Sequence, residues 1–228
     1  MKLEFKNKIV LITGATRGIG KQLVSDFVRL GATVIRVGST DVDFLNEKSL
    51  NEFIERILRH DRIDICINNA GINRIDYLEE IDRKDYDEIL KVNLYAPFLI
   101  SQAVSKVMKK NKYGRIINMS SIWGTKTKEK RTSYTTSKAG LIGMTKTLSV
   151  ELAKHNILVN SVSPGFTLTE LTKSILNEDE MKELAEQIPL KRFATVDEIS
   201  KVVLFLCSDL NTYINGQDIK IDGGFINV

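Results

Sequence analysis

The sequence predicts an α/β protein, a three-layer doubly wound parallel sheet formed as a single domain over residues 1–228. Three observations carry this. Runs rich in Ile and Val recur at 8–13, 33–37, 63–67, 115–119 and 157–162, with room for helices between most of them. The runs are apolar throughout instead of alternating, as strands covered on both faces by helices are. No Pro/Gly/Ser-rich linker, shift of composition, internal repeat or low-complexity segment divides the chain.

Strand 8–13 runs into a glycine turn, after which a helix over 18–30 carries Leu23, Phe27 and Leu30 at helical spacing. Strand 33–37 follows. A helix over 47–59, with Phe53 and Ile57 one turn apart, leads to strand 63–67. Helices over 82–110 and 133–155 bracket strand 115–119, and strand 157–162 comes next. Residues 168–190 show no clear strand and are rich in charge, which fits a substrate lid. The last helix, 195–209, opens on a capping box of Thr195 and Glu198, and a final strand over 217–221 ends at Asp222-Gly223-Gly224.

Composition narrows the function classes. Hydrophobic residues make up 43% and charged residues 27%, ordinary for a chain with a sizeable core and unlike a disordered one. No apolar run approaches the ~20 residues that cross a bilayer, so no membrane partner is expected and the cytoplasm is the expected compartment. A net charge of +4 is too mild to imply nucleic acid. Cys66 and Cys207 each lie in an apolar segment and read as buried thiols, while His60 and His155 stand far apart, so no metal site is expected.

Between the first strand and first helix stands Thr13-Gly14-Ala15-Thr16-Arg17-Gly18-Ile19-Gly20. Three glycines allow a tight turn and a close approach of phosphates to the backbone, and the following helix offers its positive N-terminus to a pyrophosphate. A purely structural turn is the alternative, but the placement favours a dinucleotide and makes the predicted sheet Rossmann-type.

The spacing Gly14-x3-Gly18-x-Gly20 is one residue wider than the usual Rossmann fingerprint, and its TGxxxGIG form resembles the short-chain dehydrogenase/reductase family. The resemblance runs along nearly the whole chain, through Asn68-Asn69-Ala70-Gly71, Asn93, Ser121, Tyr134-x3-Lys138, Asn160, Pro164-Gly165 and Asp222-Gly223-Gly224, in order and at family spacing. It implies that Gly14, Thr16, Arg17, Gly18, Ile19 and Gly20 hold the dinucleotide, with Asn69, Ala70 and Gly71 along its adenosine side. Asp43 matches an aspartate that contacts adenine, although a solvated helix cap explains it equally well. Pro164, Gly165, Thr167 and Thr169 match the contacts to the nicotinamide carboxamide.

Nucleotide preference turns on the end of the second strand. An acidic side chain there binds the ribose hydroxyls of NAD and repels a 2′-phosphate. This chain has Gly38 followed by Ser39, and Arg17 stands in the glycine turn where NADP-preferring relatives often carry a basic residue. NADP is therefore favoured over NAD. Only residues 38–42 separate this strand from the segment matching the family's third strand, whereas a parallel crossover with its helix needs at least ~10–12 residues. The helix is missing, the third strand is expected to be short, irregular or absent, and the adenine side of the cleft is expected to be more open.

The chemistry is expected at the other end. Strand 115–119 ends in Ser120-Ser121, and Tyr134 and Lys138 share one helical face at four-residue spacing. Bringing a tyrosine from its ordinary pKa near 10 to about 7 takes ~4 kcal/mol of phenolate stabilisation, which a lysine ammonium and an oxidised nicotinamide can supply. On this reading Tyr134 is the acid for carbonyl reduction and Ser121 holds the substrate oxygen. Lys138 tunes Tyr134; the resemblance further implies that Lys138 holds the nicotinamide ribose and that Asn93 supports a water-linked proton relay. Ser120 reads as structural. No G-x-S-x-G elbow supports hydrolysis.

The loop between Ser121 and Tyr134 carries Lys126, Lys128, Lys130 and Arg131 against one acid, Glu129. A solvated face explains such a run, but its position points to a small carbonyl or alcohol substrate that is anionic or carrier-bound. A 3-oxoacyl-carrier-protein reductase fits the motif pattern, with Lys109, Lys110 and Lys112 near the docking region and His155 in place of an arginine. A sugar or other small-alcohol dehydrogenase is the competing enzyme reading, and an idle nucleotide-binding sensor is a third, made less apt by the intact polar set. The resemblance also implies a homotetramer or homodimer, with helices 82–110 and 133–155 in one interface.

Overall fold

The computed structural model describes residues 3–228, the side chains at 171, 173 and 175 excepted. The first half runs β1 (Ile9–Thr13), α1 (Gly18–Arg29), β2 (Thr33–Val37), α2 (Glu47–Leu58), β3 (Ile65–Asn68), α3 (Arg83–Leu90) and α4 (Ala96–Asn111). The second runs β4 (Gly114–Met119), α5 (Thr132–Leu152), β5 (Ile157–Pro164), β6 (Thr167–Leu168), α6 (Glu170–Ile175), α7 (Glu178–Glu186), β7 (Ala194–Thr195), α8 (Val196–Cys207) and β8 (Asp218–Ile221).

Six strands form one sheet in the order β2-β1-β3-β4-β5-β8, every neighbouring pair parallel. Val10, Ile12, Ile65 and Ile67 face one side, where Leu23 and Phe27 of α1 and Ile199 and Val203 of α8 cover them. Leu11, Cys66, Ile116 and Val159 face the other, under Phe53 and Ile57 of α2 and Ile100, Val104 and Met108 of α4. The uniformly apolar strands are thus buried on both faces, as the three-layer reading requires. Asp26 ties α1 to α8, accepting from Ser200 Oγ at 2.7 Å, and its charge is met by Arg29. Both cysteines are buried and free.

The chain leaves β1 for β2 on one side and returns through α2 to β3 on the other. The C-terminal ends of β1 and β3 therefore diverge, which opens a crevice where doubly wound sheets bind their ligands. The missing crossover is plain. After β2 the chain turns at once, with the Gly38 N–H donating to Asp41 Oδ2 at 2.8 Å and the Val42 N–H to the Gly38 carbonyl at 3.1 Å, and then enters α2. No strand forms between β2 and α2, and β2 is the sheet edge.

Three elements differ from the sequence expectation. The single helix expected over 82–110 is split into α3 and α4 by a π turn at Lys91–Tyr95. Pro97, four residues after Asn93, has no N–H for the Asn93 carbonyl and would press its ring on it, so the helix widens there. Residues 168–190, read only as charged and without a clear strand, hold two helices that were not expected, α6 and α7, α7 opening on a capping box of Asn177 and Glu180, and β6 pairs with β7 in a separate small ladder. The helix expected over 133–155 ends its α-helical part at Leu152 and finishes as a 3-10 turn. The Thr195–Glu198 capping box forms as expected.

Candidate active site

The first part of the site is the crevice between β1 and β3, a cleft of about 540 Å³ lined by the glycine turn, residues 37–39 and 42–45, and Asn69, Ala70 and Gly71. Gly14 has a φ of +62°, and a Cβ there would meet the Ala70 Cα at 2.8 Å. A Cβ on Gly20 would meet the Gly14 carbonyl oxygen at 2.1 Å, so the turn closes only with glycine at both places. Arg17 caps α1 with extended backbone, no side chain caps the helix, and no acid stands in its first turn. The N–H groups of Gly18, Ile19 and Gly20 are left for an anion, with the helix dipole behind them.

Thr13 holds the far wall. Its hydroxyl accepts from the N–H of both Asn69 and Ala70 at 3.1 Å, and Asn69 Nδ2 donates to the Thr13 and Gly14 carbonyls. Thr16, Ser39 and Thr169 line the same cleft. Asp43 lines it too, while its side chain accepts from the Leu45 N–H at 2.9 Å, so it serves the local turn as well. Val42, Phe44 and Leu45 form the wall where the third strand is missing; the sequence reading did not single them out. A Cβ on Gly38 would meet Thr16 Cγ2 at 2.5 Å, so a larger residue at that position would require the Thr16 side chain to move. The residues of this cradle fit a nicotinamide dinucleotide, whose pyrophosphate the α1 N-terminus would hold. When bound, the dinucleotide supplies the hydride.

The second part lies at the ends of β4 and β5. Ser121 follows β4 and caps a 3-10 turn at Ile122–Gly124, its Oγ accepting from the Trp123 N–H at 3.2 Å. A Cβ on Gly124 would meet the Lys138 backbone at 3.0 Å, so glycine lets this turn press against α5. Tyr134 and Lys138 sit one turn apart on α5, with Lys138 Nζ 5.6 Å from the tyrosine ring centre and donating to the Met119 carbonyl at 2.7 Å. Ser120 donates to the Lys138 carbonyl at 3.1 Å, in keeping with a structural role.

Asn93 is fully buried in the π turn. Its side chain exchanges hydrogen bonds with both backbone groups of Ile72 and donates to Ser137 Oγ at 3.1 Å, and Ser137 in turn donates to the Tyr134 carbonyl. The Cβ position of Gly71 lies 3.4 Å from Asn93 Oδ1 and 3.6 Å from Lys138 Nζ, which brings the wall of the cleft against Asn93 and Lys138.

Pro164, Gly165 and Thr167 stand apart from the cleft lining. The Gly165 N–H donates to the Ile221 carbonyl at 2.9 Å, Thr167 Oγ1 donates to the Gly165 carbonyl, and a Cβ on Gly165 would meet the Asp222 Cα at 2.8 Å. Thr169 caps α6 and reaches the cleft.

Electrostatics separate the two key groups. Burial raises the Tyr134 phenol above its ordinary value, while a hydrogen bond with Ser121 and then the charge of Arg131 pull it down. Burial also pushes the Lys138 ammonium down to about 8. The sequence reading assigned the lowering of the phenol to the Lys138 ammonium and an oxidised nicotinamide; in the protein alone burial outweighs the opposing pull of Ser121 and Arg131, and the phenol stays above its ordinary value. Among the described residues no group of three or more potential metal ligands gathers, and no helix is long and apolar enough to cross a membrane.

Comparison with known proteins assigns the chain. The family described as Enoyl-(Acyl carrier protein) reductase matches residues 35–226, and the 3-oxoacyl-(acyl-carrier-protein) reductase FabG of Aquifex aeolicus is 40% identical over 247 residues, covering 98% of this chain and 99% of the relative. The chain belongs to the short-chain dehydrogenase/reductase family. It is an NAD(P)-dependent oxidoreductase of that family. The Thermotoga maritima reductase of the same name is also 40% identical, over 99% of this chain and the whole of the relative. Both matches run longer than the 228 residues of this chain, as the shortened connection after β2 demands.

Solved short-chain dehydrogenase/reductase structures superpose closely. A putative NAD(P)-dependent gluconate 5-dehydrogenase from Beutenbergia cavernae with bound NADP has a TM-score of 0.94 at 27% identity, covering 99% of both chains. A 4-hydroxyisoleucine dehydrogenase complexed with NADH has a TM-score of 0.92 at 30% identity, covering 97% of this chain and 100% of that one. The Rossmann-type sheet expected from the sequence is therefore the family's own.

Proposed function

We propose that the protein interconverts a carbonyl and a secondary alcohol using NADP(H) in preference to NAD(H), with Tyr134 moving the proton at the substrate oxygen. In the reducing direction the carbonyl carbon receives the hydride and Tyr134 gives its phenolic proton to the oxygen. Ser121 holds that oxygen, Lys138 secures the nicotinamide ribose, and Asn93 supports the relay that returns a proton to Tyr134. The observation that carries this reading is the junction at Gly71, where the backbone of the dinucleotide cleft lies against Asn93 and Lys138 while the Ser121 hydroxyl acts on the Tyr134 phenol. The preference for NADP is supported by Arg17 and Ser39 at the cleft and by glycine in place of an acid at position 38. Pro164, Gly165, Thr167 and Thr169 are assigned to the nicotinamide side, and residues 168–190 to a lid.

The first substrate reading is a 3-oxoacyl group on a carrier protein, supported by the relatives that match along their full length. A second reading, a sugar-derived or other small hydroxy acid, is favoured by the basic loop over 126–131 and by His155 at the docking face. A homotetramer or homodimer is supported by exposed Tyr95 and Phe98 on and beside α4 and by exposed Val150 on α5. A cytoplasmic setting is supported by the two buried free thiols. The test is a parallel assay of 3-oxoacyl thioesters and oxo acids with NADPH and NADH. Turnover of a carbonyl substrate with NADPH at least about tenfold faster than with NADH supports the proposal. Equal or better use of NADH overturns the nucleotide preference, and no turnover of any carbonyl overturns the reaction.

A further inference from the structure

The basic loop before Tyr134 holds four cations, and the structure sorts them. Lys126 donates to the main-chain oxygens of Val228 at 2.6 Å and Phe225 at 3.4 Å, which removes it from the substrate-facing role that its sequence position suggests. Lys128 and Lys130 lie over aromatic faces, 5.6 Å from the centre of Trp123 and 4.2 Å from that of Tyr77. Arg131 is different. Its side chain is half-buried beside Trp123, and its Nε is shut off from solvent without a hydrogen-bond partner among the described residues.

Arg131 caps the start of α5, three residues before Tyr134 and so on the same helical face. Its charge is close enough to act on the phenol. A buried guanidinium N–H without an acceptor is unfavourable, and the group that satisfies it best is a carboxylate taking two parallel hydrogen bonds. The phosphate of a carrier's long prosthetic arm would lie far from the reacting carbon, whereas Arg131 lies next to the residue that protonates the substrate oxygen.

We propose that Arg131 is the specificity-determining residue of this site, and that it takes a carboxylate carried within one or two carbons of the reacting carbonyl. The substrate class is then an oxo acid and its hydroxy-acid partner, with the aromatic cluster of Trp123, Phe166 and Phe225 beside it. This rests on Tyr134 acting at the carbonyl, and the test separates the two claims.

The holoenzyme at saturating NADPH is assayed with a series of short 2- and 3-oxo acids, and with the neutral methyl ester and thioester of each, for wild type, Arg131→Gln, Arg131→Lys and Tyr134→Phe. The expected result is a wild-type preference for the acids. Arg131→Gln raises the acid KM by about 30–100-fold, changes the ester KM by less than about threefold, and Arg131→Lys recovers part of the loss. A role limited to tuning Tyr134 would lower kcat and shift the pH profile equally for acid and ester, and that result overturns the proposal. A wild-type preference for the neutral thioester, or no turnover of any oxo acid, overturns it as well. Tyr134→Phe that keeps full turnover overturns the reaction assignment instead, while the acid-to-ester KM ratio in the Arg131 variants still reads on Arg131.

Discussion

Asn93 and Ile72 are held together by a reciprocal pair of hydrogen bonds: the Ile72 N–H donates to Asn93 Oδ1, and Asn93 Nδ2 donates to the Ile72 carbonyl, both at 2.8 Å. The side chain thereby copies a strand pairing and fixes the segment after Gly71 onto the π turn. Asn93→Ala leaves two backbone groups and the Ser137 hydroxyl short of partners in a fully buried place. A loss of about 3 kcal/mol in urea unfolding is expected, together with a fall in kcat. A stability within about 0.5 kcal/mol of wild type would mean that water replaces the side chain there.

Gly20 of the dinucleotide turn and Gly143 of α5 behave oppositely. Gly20→Ala places a methyl against the Gly14 carbonyl, so NADPH affinity measured by fluorescence titration is expected to fall by at least about 100-fold. Gly143 has nothing within 4 Å of its Cβ position and lies in the helix interior. Gly143→Ala is expected to raise stability by about 0.5–1 kcal/mol with unchanged affinity. The pair distinguishes close backbone approach from general helix propensity.

Much of this was legible in the sequence for physical reasons that can be named. Strands buried on both faces must be apolar throughout, so their positions stand out. The five residues after β2 are too few for a crossover, so the loss of the third strand follows from chain length alone. The polar set of Asn93, Ser121, Tyr134 and Lys138 was singled out by its match to the family's motifs, the four-residue spacing of Tyr134 and Lys138 alone having a physical reason. What stayed hidden depends on tertiary contact or on weak local signals. The π turn at Asn93 had one available signal, Pro97 four residues on. The capping box of Asn177 and Glu180 marked α7 within a stretch read only as charged. Nothing local distinguishes Arg131 from Lys126, whose ammonium is claimed by the chain's last residues. Phe44 and Leu45 line the cleft only because the strand that would have stood there is gone.

Lys138 is costly to the fold. Its folded pKa of about 8 lies below the 10.5 of an ordinary lysine, so between those values the unfolded chain binds more protons. Stability contributed at this position therefore rises with pH across that window, and the full penalty, about 3 kcal/mol, acts below about pH 8. Lys138→Met is expected to be more stable than wild type at pH 7, by about 1–2 kcal/mol once the bond to the Met119 carbonyl is lost. The gain shrinks as pH approaches the ordinary lysine value, while activity is lost throughout. Urea midpoints taken across that range check both the sign and the window; a variant less stable at pH 7 would show that the ammonium's hydrogen bond outweighs its burial.

Nucleotide preference is testable at the cleft rim. Ser39 is exposed and lines the cleft, and Arg17 stands at the α1 N-terminus. Ser39→Asp brings a carboxylate to the position assigned to a 2′-phosphate and is expected to raise KM for NADPH about tenfold or more, with a smaller change for NADH. Arg17→Ala is expected to act in the same direction by about 1–2 kcal/mol. Steady-state kinetics with both nucleotides measure it; parallel changes in the two would place the 2′-phosphate elsewhere.

The central claim is that Tyr134 delivers the proton to the substrate oxygen, and single-turnover reduction of a carbonyl substrate by Tyr134→Phe with NADPH tests it most directly. The account predicts a fall of about 10²–10⁴-fold in the rate of reduction with NADPH affinity and unfolding midpoint unchanged. Reduction by the variant at the wild-type rate would contradict it.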